Sequence, residues 1–346
     1  MWSSVYDNVL FALAFFEFAH RPQLAVDGFH TTERYGSYAD CNGTRYLSTR
    51  ILPLRWLSAG ALEPRSMFHW ALRAPARAGA DARGVVHQVG DRRMAHNLAL
   101  ACVDDVLYAY GGTDTRNGLA ELMGAHDGVY RARVRLEDGA LIDAERVLTG
   151  KQEGCVEKRL RFAGTCEFDG KMAVLNDARP NRNRMLFYAR ANTVAYHGGR
   201  HVQVTESLDG GKTFGAFQLL EINGVEHGVS SNNVYFWVAD PWNATHLIAS
   251  YPAVLEDGKS GVFVSYSKDG VKWTAPHTVV QGKAFGQRVE LFPVGVRDGR
   301  VHVMHVNLLN DLTTTAHGVD LWSYSLDDGS RQRVTDYDVD ELHLIN

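Results

Sequence analysis

At 346 residues, with 45% hydrophobic and 22% charged side chains, the chain has the composition of a folded globular protein, which excludes intrinsic disorder. A formal net charge of −4, with no basic run in a nucleic-acid-binding motif, argues against a nucleic-acid partner. The apolar run at residues 9–16 is far short of the roughly 20 residues that cross a bilayer, and it lacks the basic flank and cleavage pattern of a secretory leader.

In chain order, residues 1–45 read as an N-terminal segment that packs on or closes the rest, and 46–346 as a single domain. Residues 67–72 and 85–89 are candidate strands. From residue 90 onward, paired β-rich runs recur: 97–103 with 106–110, 168–175 with 185–191, 233–239 with 246–251, and 289–296 with 301–306. Turn residues separate the members of each pair, at Asp104-Asp105, 179–183, 240–243 and Asp298-Gly299.

A third run in each unit leads into an Asp-Gly turn. Ser207-Leu-Asp209-Gly-Gly-Lys-Thr-Phe214 is echoed by Ser267-Lys-Asp269-Gly-Val-Lys-Trp273, more weakly by Ser325-Leu-Asp327-Asp-Gly329, and in degenerate form by Asp138-Gly139. The aspartates at 138, 209, 269 and 327 are 71, 60 and 58 residues apart, against about 40–50 for an ordinary propeller blade, so the loops are long. A lone four-stranded sheet leaves both faces uncovered, so such units must stack around an axis. The expectation is an all-β propeller of four-stranded antiparallel blades, five in number with six as the alternative; the N-terminal third would supply the fifth.

The Ser207–Phe214 pattern resembles the Asp box of sialidases, with Ser207, Asp209 and Phe214, and Ser267, Asp269 and Trp273, in the matching places. The resemblance implies structural turns remote from an active site. The stretch from 167 to 220, with Glu-Phe-Asp-Gly after Cys166, Leu186-Phe-Tyr-Ala-Arg-Ala-Asn192 and Gly198-Gly-Arg-His, is similar to glycosidase-related five-bladed propellers of the arabinanase and invertase architecture. That resemblance implies a carbohydrate or glycoconjugate as the substrate.

In such propellers the start of each innermost strand faces the axial mouth. This selects His96 and Asn97, Glu167 and Asp169, Asn232 and Asn233, and Arg288 and Glu290, with Asp91, Glu157, Glu226 and His227 added by loops. Glycoside hydrolysis needs a proton donor and a second carboxylate, so Glu167 is expected as the general acid and Asp169 or Glu290 as its partner. His96, Asn97, Arg190, Asn232, Asn233, Arg288 and His227 are the expected substrate-binding residues. Arg190, Arg200 and Arg288 are of the type that grips an acidic sugar, since guanidinium forks match carboxylates and sulfates. Arg200 reads more simply as a surface residue stacked along its strand.

The alternatives are an exo-sialidase-like enzyme on acidic sugars and a non-catalytic glycan-binding propeller. Trp70, Trp237, Trp242 and Trp322 are candidates for a sugar platform. No HExxH, Cys/His pair or nucleotide-binding glycine loop occurs, so neither metal nor cofactor is expected. Cys41, Cys102, Cys155 and Cys166 read mostly as packed thiols, with Cys155 and Cys166 close enough to pair in an oxidising compartment. Asn42-Gly-Thr44 and Asn243-Ala-Thr245 are formal glycosylation acceptors.

Overall fold

The computed structural model describes residues 31–53, 70–74, 94, 98–113, 128–136, 139–159, 165–168, 172–180, 183–196, 198–282, 289–307, 319–335 and 337. Every element among them is a strand, and all strand pairings but one are antiparallel. The first sheet holds β1 (Thr31–Cys41), β2 (Thr44–Pro53) and β3 (Trp70–Arg73); the second β4 (Ala99–Val103), β5 (Val106–Thr113), β6 (Gly128–Val134) and β7 (Leu141–Leu148). The third holds β8 (Ala173–Asn176), β9 (Met185–Asn192), β10 (Arg200–Ser207) and β11 (Gln218–Leu219); β12 (Glu221–Ile222) follows in the chain and joins the fourth sheet as its parallel edge. The fourth has β13 (Asn233–Val234) and β14 (Val238–Pro241) as a broken inner strand, β15 (Leu247–Val254), β16 (Ser260–Ser267), and β17 (Lys272–Trp273) with β18 (His277–Gln281) as a broken outer one. The fifth holds β19 (Val289–Arg297), β20 (Arg300–Asn307), β21 (Val319–Ser325) and β22 (Arg331–Arg333).

Turn chemistry sets the hairpins. Asn42-Gly43, Asp104-Asp105 and Asp298-Gly299 all have positive φ, the geometry a two-residue turn needs to match the strand twist. Glycine, asparagine and aspartate adopt it at least cost. The β13/β14 break has a local cause: three residues, Tyr235 to Trp237, stand opposite two, Tyr251 and Pro252. Pro252 has no N–H to donate, so its carbonyl takes the Tyr235 N–H at 3.1 Å and the extra residue bulges. The run expected at 233–239 is therefore two short strands.

The inner strands touch in the cyclic order β1, β4, β8, β14, β19 and back to β1. Five apolar clusters occupy the five gaps among the described residues. In the gap between the third and fourth sheets, Trp237 stacks on Tyr251 at 4.3 Å and meets Trp273 edge-on at 5.0 Å. Ring closure leaves no room at Gly36, where a Cβ would come within 2.3 Å of Val294 Cγ1. The β1–β2 hairpin runs through residue 45, so residues on both sides of that point share one sheet. The candidate strand 85–89 lies outside the described residues, and the strand expected at 67–72 is described as β3, from Trp70 to Arg73.

The Asp-Gly turns sit at the end of each unit where β9 begins and β10 finishes. Asp209 Oδ1 accepts the Lys212 and Thr213 N–H groups at 3.0 Å each, and Ser207 Oγ accepts that of Gly211 at 2.8 Å. Asp269 closes its turn the same way on Val271 and Lys272 at 2.8 Å. Each turn also docks on the preceding sheet: Arg131 donates to Gly210 O, and Arg184 and Tyr188 donate to Asp269 O and Gly270 O. Phe214 and Trp273 are buried between sheets. In the third copy Asp328, one residue later than expected, takes the Ser330 N–H. The Asp138 copy lies outside the described residues.

Burial raises the Asp209 carboxyl, but the hydrogen bonds from Thr213, Ser207 and Lys212 outweigh it and hold it at about 2. Its folded value is thus depressed, so its stabilisation is present above the ordinary carboxylate range and is lost as pH falls through about 2. Asp209→Ala should lower stability by about 1 kcal/mol at neutral pH, the usual cost of losing such a cap, and leave ligand affinity unchanged. Urea melts at pH 7 check the first expectation; an affinity loss at unchanged stability would contradict the second.

Two disulfides replace the expected thiols, and no cysteine is free. Cys41 at the end of β1 joins Cys102 in β4, linking the first two sheets across 61 residues, and Cys155 joins Cys166 across 11. Three of the candidate tryptophans have described side chains. Trp237 is core, Trp242 lies in the exposed β14–β15 turn beside Tyr266, and Trp322 packs under Arg331.

Candidate functional site

Strand β9 organises the site. Its second half, from Ala189 to Asn192, pairs with β10 on one side, while on the other β8 reaches only as far as Tyr188. The vacant inner positions are taken by two single-residue bridges, Glu167 opposite Arg190 and Glu157 opposite Asn192. Both glutamates therefore stand in the innermost row of the third sheet, at the end where its inner strand begins. The Ser207 turn pairs with Met185, seven residues away along β9, or about 23 Å.

The Cys155–Cys166 disulfide lies directly behind this pair, two residues before Glu157 and one before Glu167. Gln203 fixes the incoming segment: its Oε1 accepts the Val156 N–H at 2.8 Å while its Nε2 donates to Arg190 O at 2.8 Å.

The two carboxylates share their donors. Arg159 Nη2 donates to Glu157 Oε2 at 2.9 Å and to Glu167 Oε2 at 2.7 Å, and Asn192 Nδ2 donates to the same two oxygens. Arg190 Nη1 adds a bond to Glu167 Oε1 at 2.6 Å. The Glu157 and Glu167 side chains are 0% and 2% exposed, beneath an Arg159 that is 33% exposed. Charge-assisted bonds of this kind stabilise the ionised carboxylate. Glu167, expected as the general acid, is thus held between two guanidiniums and the Asn192 amide.

Arg200 opens β10 opposite Asn192, with its guanidinium over the Tyr235 ring at 5.2 Å. The Asn233 Oδ1 accepts the Arg200 N–H at 3.4 Å, so Asn233 borders the cluster. Burial first, and then the neighbouring Arg190 charge, depress the Arg200 guanidinium below its ordinary value. Arg200 is thus half-buried and stacked on its neighbour Tyr235.

Asn232 is buried, and its side chain serves the backbone, donating to Glu226 O at 3.1 Å and accepting the Glu256 N–H at 2.7 Å. His227 and Glu226, expected at the axial mouth, instead line a cleft of about 630 Å³ with Glu221, Lys272 and Trp273, at the outer seam of the third and fourth sheets. The connection from β12 crosses that seam before it reaches β13, which explains the displacement. Glu290 lies near the start of β19, paired with Val306; its side chain is outside the described residues. Asp169, His96, Asn97, Asp91 and Arg288 also lie outside them. Sequence reasoning missed Arg159 and Asn192. The Glu157-x-Arg159 and Arg190-x-Asn192 spacings, each placing two polar groups on one side of an extended chain, were the available signal.

No family model matches this chain, and no curated protein matches it in sequence. Among solved structures it is similar to a protein of unknown function from Dyadobacter fermentans, at 12% identity over 89% of this chain and 83% of that one, with a TM-score of 0.52. It is equally similar to the GH43_1 enzyme from Xanthomonas citri, solved with xylotriose, at 12% identity over 92% and 96% of the two chains and a TM-score of 0.52. At such identity the likeness speaks for the fold alone: the chain has the all-β, antiparallel propeller fold found in glycosidase-type enzymes.

Proposed function

We propose that this protein is a glycoside hydrolase acting on a carbohydrate or glycoconjugate at the mouth of a single five-bladed propeller domain. The observation that carries the reading is the pair Glu157 and Glu167 on the innermost row of one sheet, bridged by Arg159 and Asn192. The cyclic contact order of the five inner strands supports the blade count, and the Ser207–Asp209 and Ser267–Asp269 turns support a sialidase-type repeat. Glu167 serves as the ionised carboxylate that attacks the sugar, activates water or steadies the oxocarbenium-like transition state. Glu290, at the same end of β19, is the candidate proton donor, with Asp169 beside Glu167 in the chain. Arg190 and Asn233, with His96, Asn97 and Arg288, bind substrate.

The test is release of reducing ends from a panel of plant and animal oligosaccharides, with Glu290→Gln alongside the wild type. Loss of natural-glycan turnover in the variant, with activity restored on nitrophenyl glycosides, supports the assignment, because an activated leaving group needs no proton. Glycan binding by the wild type without hydrolysis would replace the hydrolase with a non-catalytic glycan-binding propeller. The near-complete burial of both glutamates favours that second reading.

A further inference from the structure

The β14–β15 turn carries a group of features that the candidate site does not use. It reads Trp242-Asn243-Ala244-Thr245-His246, an Asn-x-Thr acceptor, and its first four residues are exposed. The turn closes on itself. The Trp242 and Asn243 N–H groups donate to His246 O at 3.0 and 3.1 Å, and Asn243 Oδ1 accepts the Thr245 and His246 N–H groups at 2.9 and 2.8 Å. These two backbone donors fix which way round the amide lies, since only its oxygen can accept them. The Thr245 hydroxyl, 3.0 Å from the same oxygen, donates to it as well. Nδ2 is left on the other side of the amide and makes no hydrogen bond among the described residues. All these contacts lie within five residues, so an emerging chain can form the turn before the ring exists.

The other acceptor sequence is arranged differently. Asn42 donates its Nδ2 to Asp105 O, in the turn of the neighbouring sheet, at 2.9 Å. Two further observations set the Asn243 turn apart. Trp242 is 38% exposed and meets Tyr266 edge-on at 5.7 Å, so an aromatic corner borders the free amide. The C–H face of a pyranose ring packs on such a surface as other apolar groups do. All four cysteines are also in bridges, a state that forms and persists in oxidising compartments, the setting in which secreted chains receive N-linked sugars.

We propose that Asn243 is a site of N-linked glycosylation and that the first sugar of the glycan lies over Trp242. In the transfer, Nδ2 loses a proton and bonds to the anomeric carbon of an oligosaccharide carried on a polyprenyl diphosphate. The bond from that carbon to the diphosphate oxygen breaks, and the lipid diphosphate leaves. A substituent on Nδ2 keeps Oδ1 and its three hydrogen bonds as they are. β15 starts at Leu247, paired with Ser267, so the glycan stands at the end of the Asp-Gly turns, away from Glu157 and Glu167, and leaves turnover unchanged.

The test starts with protein purified from the cells that make it. Treatment in heavy-oxygen water with an amidase that cleaves the sugar–asparagine bond converts a glycosylated asparagine into a labelled aspartate, which peptide mass spectrometry locates. Label at Asn243 is the expected result; an unlabelled Asn243, or label at Asn42 alone, would overturn the proposal. The full chain, secreted from cultured eukaryotic cells behind an added leader, then separates the contributions. Thr245→Ala should lose the glycan, while Thr245→Ser and Asn42→Gln keep it. A glycan retained at Asn243 in Thr245→Ala would mean that the Thr245 hydroxyl does not define the acceptor, contrary to the proposal. Removing the glycan should lower the melting temperature by about 1–2 °C in the wild type, the scale of one aromatic contact in a chain of this size, and leave that of Trp242→Ala unchanged. Equal shifts in the two would show that the sugar does not lie on Trp242.

Discussion

Glu167→Gln should reduce glycan turnover by roughly 10²-fold or more, and equally for natural and nitrophenyl substrates. The variant keeps the shape of the side chain and replaces one oxygen with an NH₂, so it loses the negative charge while two guanidiniums remain beside it. A carboxylate that acts in its ionised form is needed whatever the leaving group, so activated substrates bring no rescue. That contrasts with the rescue expected for Glu290→Gln and separates the two roles in one experiment. The same substitution also leaves Arg159 and Arg190 short of an acceptor, and breaking a buried ion pair typically costs about 3–5 kcal/mol. Turnover must therefore be compared well below the melting temperature, with circular dichroism confirming the fold. Wild-type rates on both substrate classes would remove Glu167 from the mechanism.

Removing the Cys41–Cys102 bridge, as Cys41→Ser with Cys102→Ser, should destabilise the protein more than removing Cys155–Cys166. The first bridge spans 61 residues and the second 11. Loop-closure entropy alone assigns them about 4 and about 3 kcal/mol. The functional consequences should run the other way. Cys41–Cys102 ties β1 to β4 and carries neither Glu157 nor Glu167 on its segments, so its loss should lower the melting temperature with turnover intact below it. Cys155–Cys166 anchors the segments carrying Glu157 and Glu167, so its loss should depress turnover even where the chain stays folded. Denaturant melts rank the stabilities, and kcat at low temperature reads the second effect. Equal turnover in the two double variants would show that the shorter bridge does not position the glutamates. Four titratable thiols in the unreduced, denatured protein would show that neither bridge forms.

Much of the scaffold was legible in the sequence because it rests on short-range chemistry. The pairs of β-rich runs after residue 90 mark β4 with β5, β9, β15 and β19 with β20 closely, because alternation and turn residues act within a few positions of themselves. The Asp209 and Asp269 turns close on their own backbone, so their residues announce them. The weaker inner strands were less visible. The run at 168–175 becomes a strand only from Ala173, and the bulge opposite Pro252 depends on a partner strand some fifteen residues later.

What the tertiary structure alone decided is which distant groups share a neighbourhood. Cys41 reaches Cys102 because ring packing sets β1 against β4. Glu157 joins Glu167 because two short segments complete the inner row that β8 leaves empty, which no spacing in the chain encodes. His227 goes to the outer seam because its connection crosses between sheets before returning to the axis. Local patterns specify what each segment forms, because propensity and turn chemistry are properties of neighbouring residues. The site depends on long-range packing around the ring, and burial, charge balance and donor sharing exist only once that packing is complete.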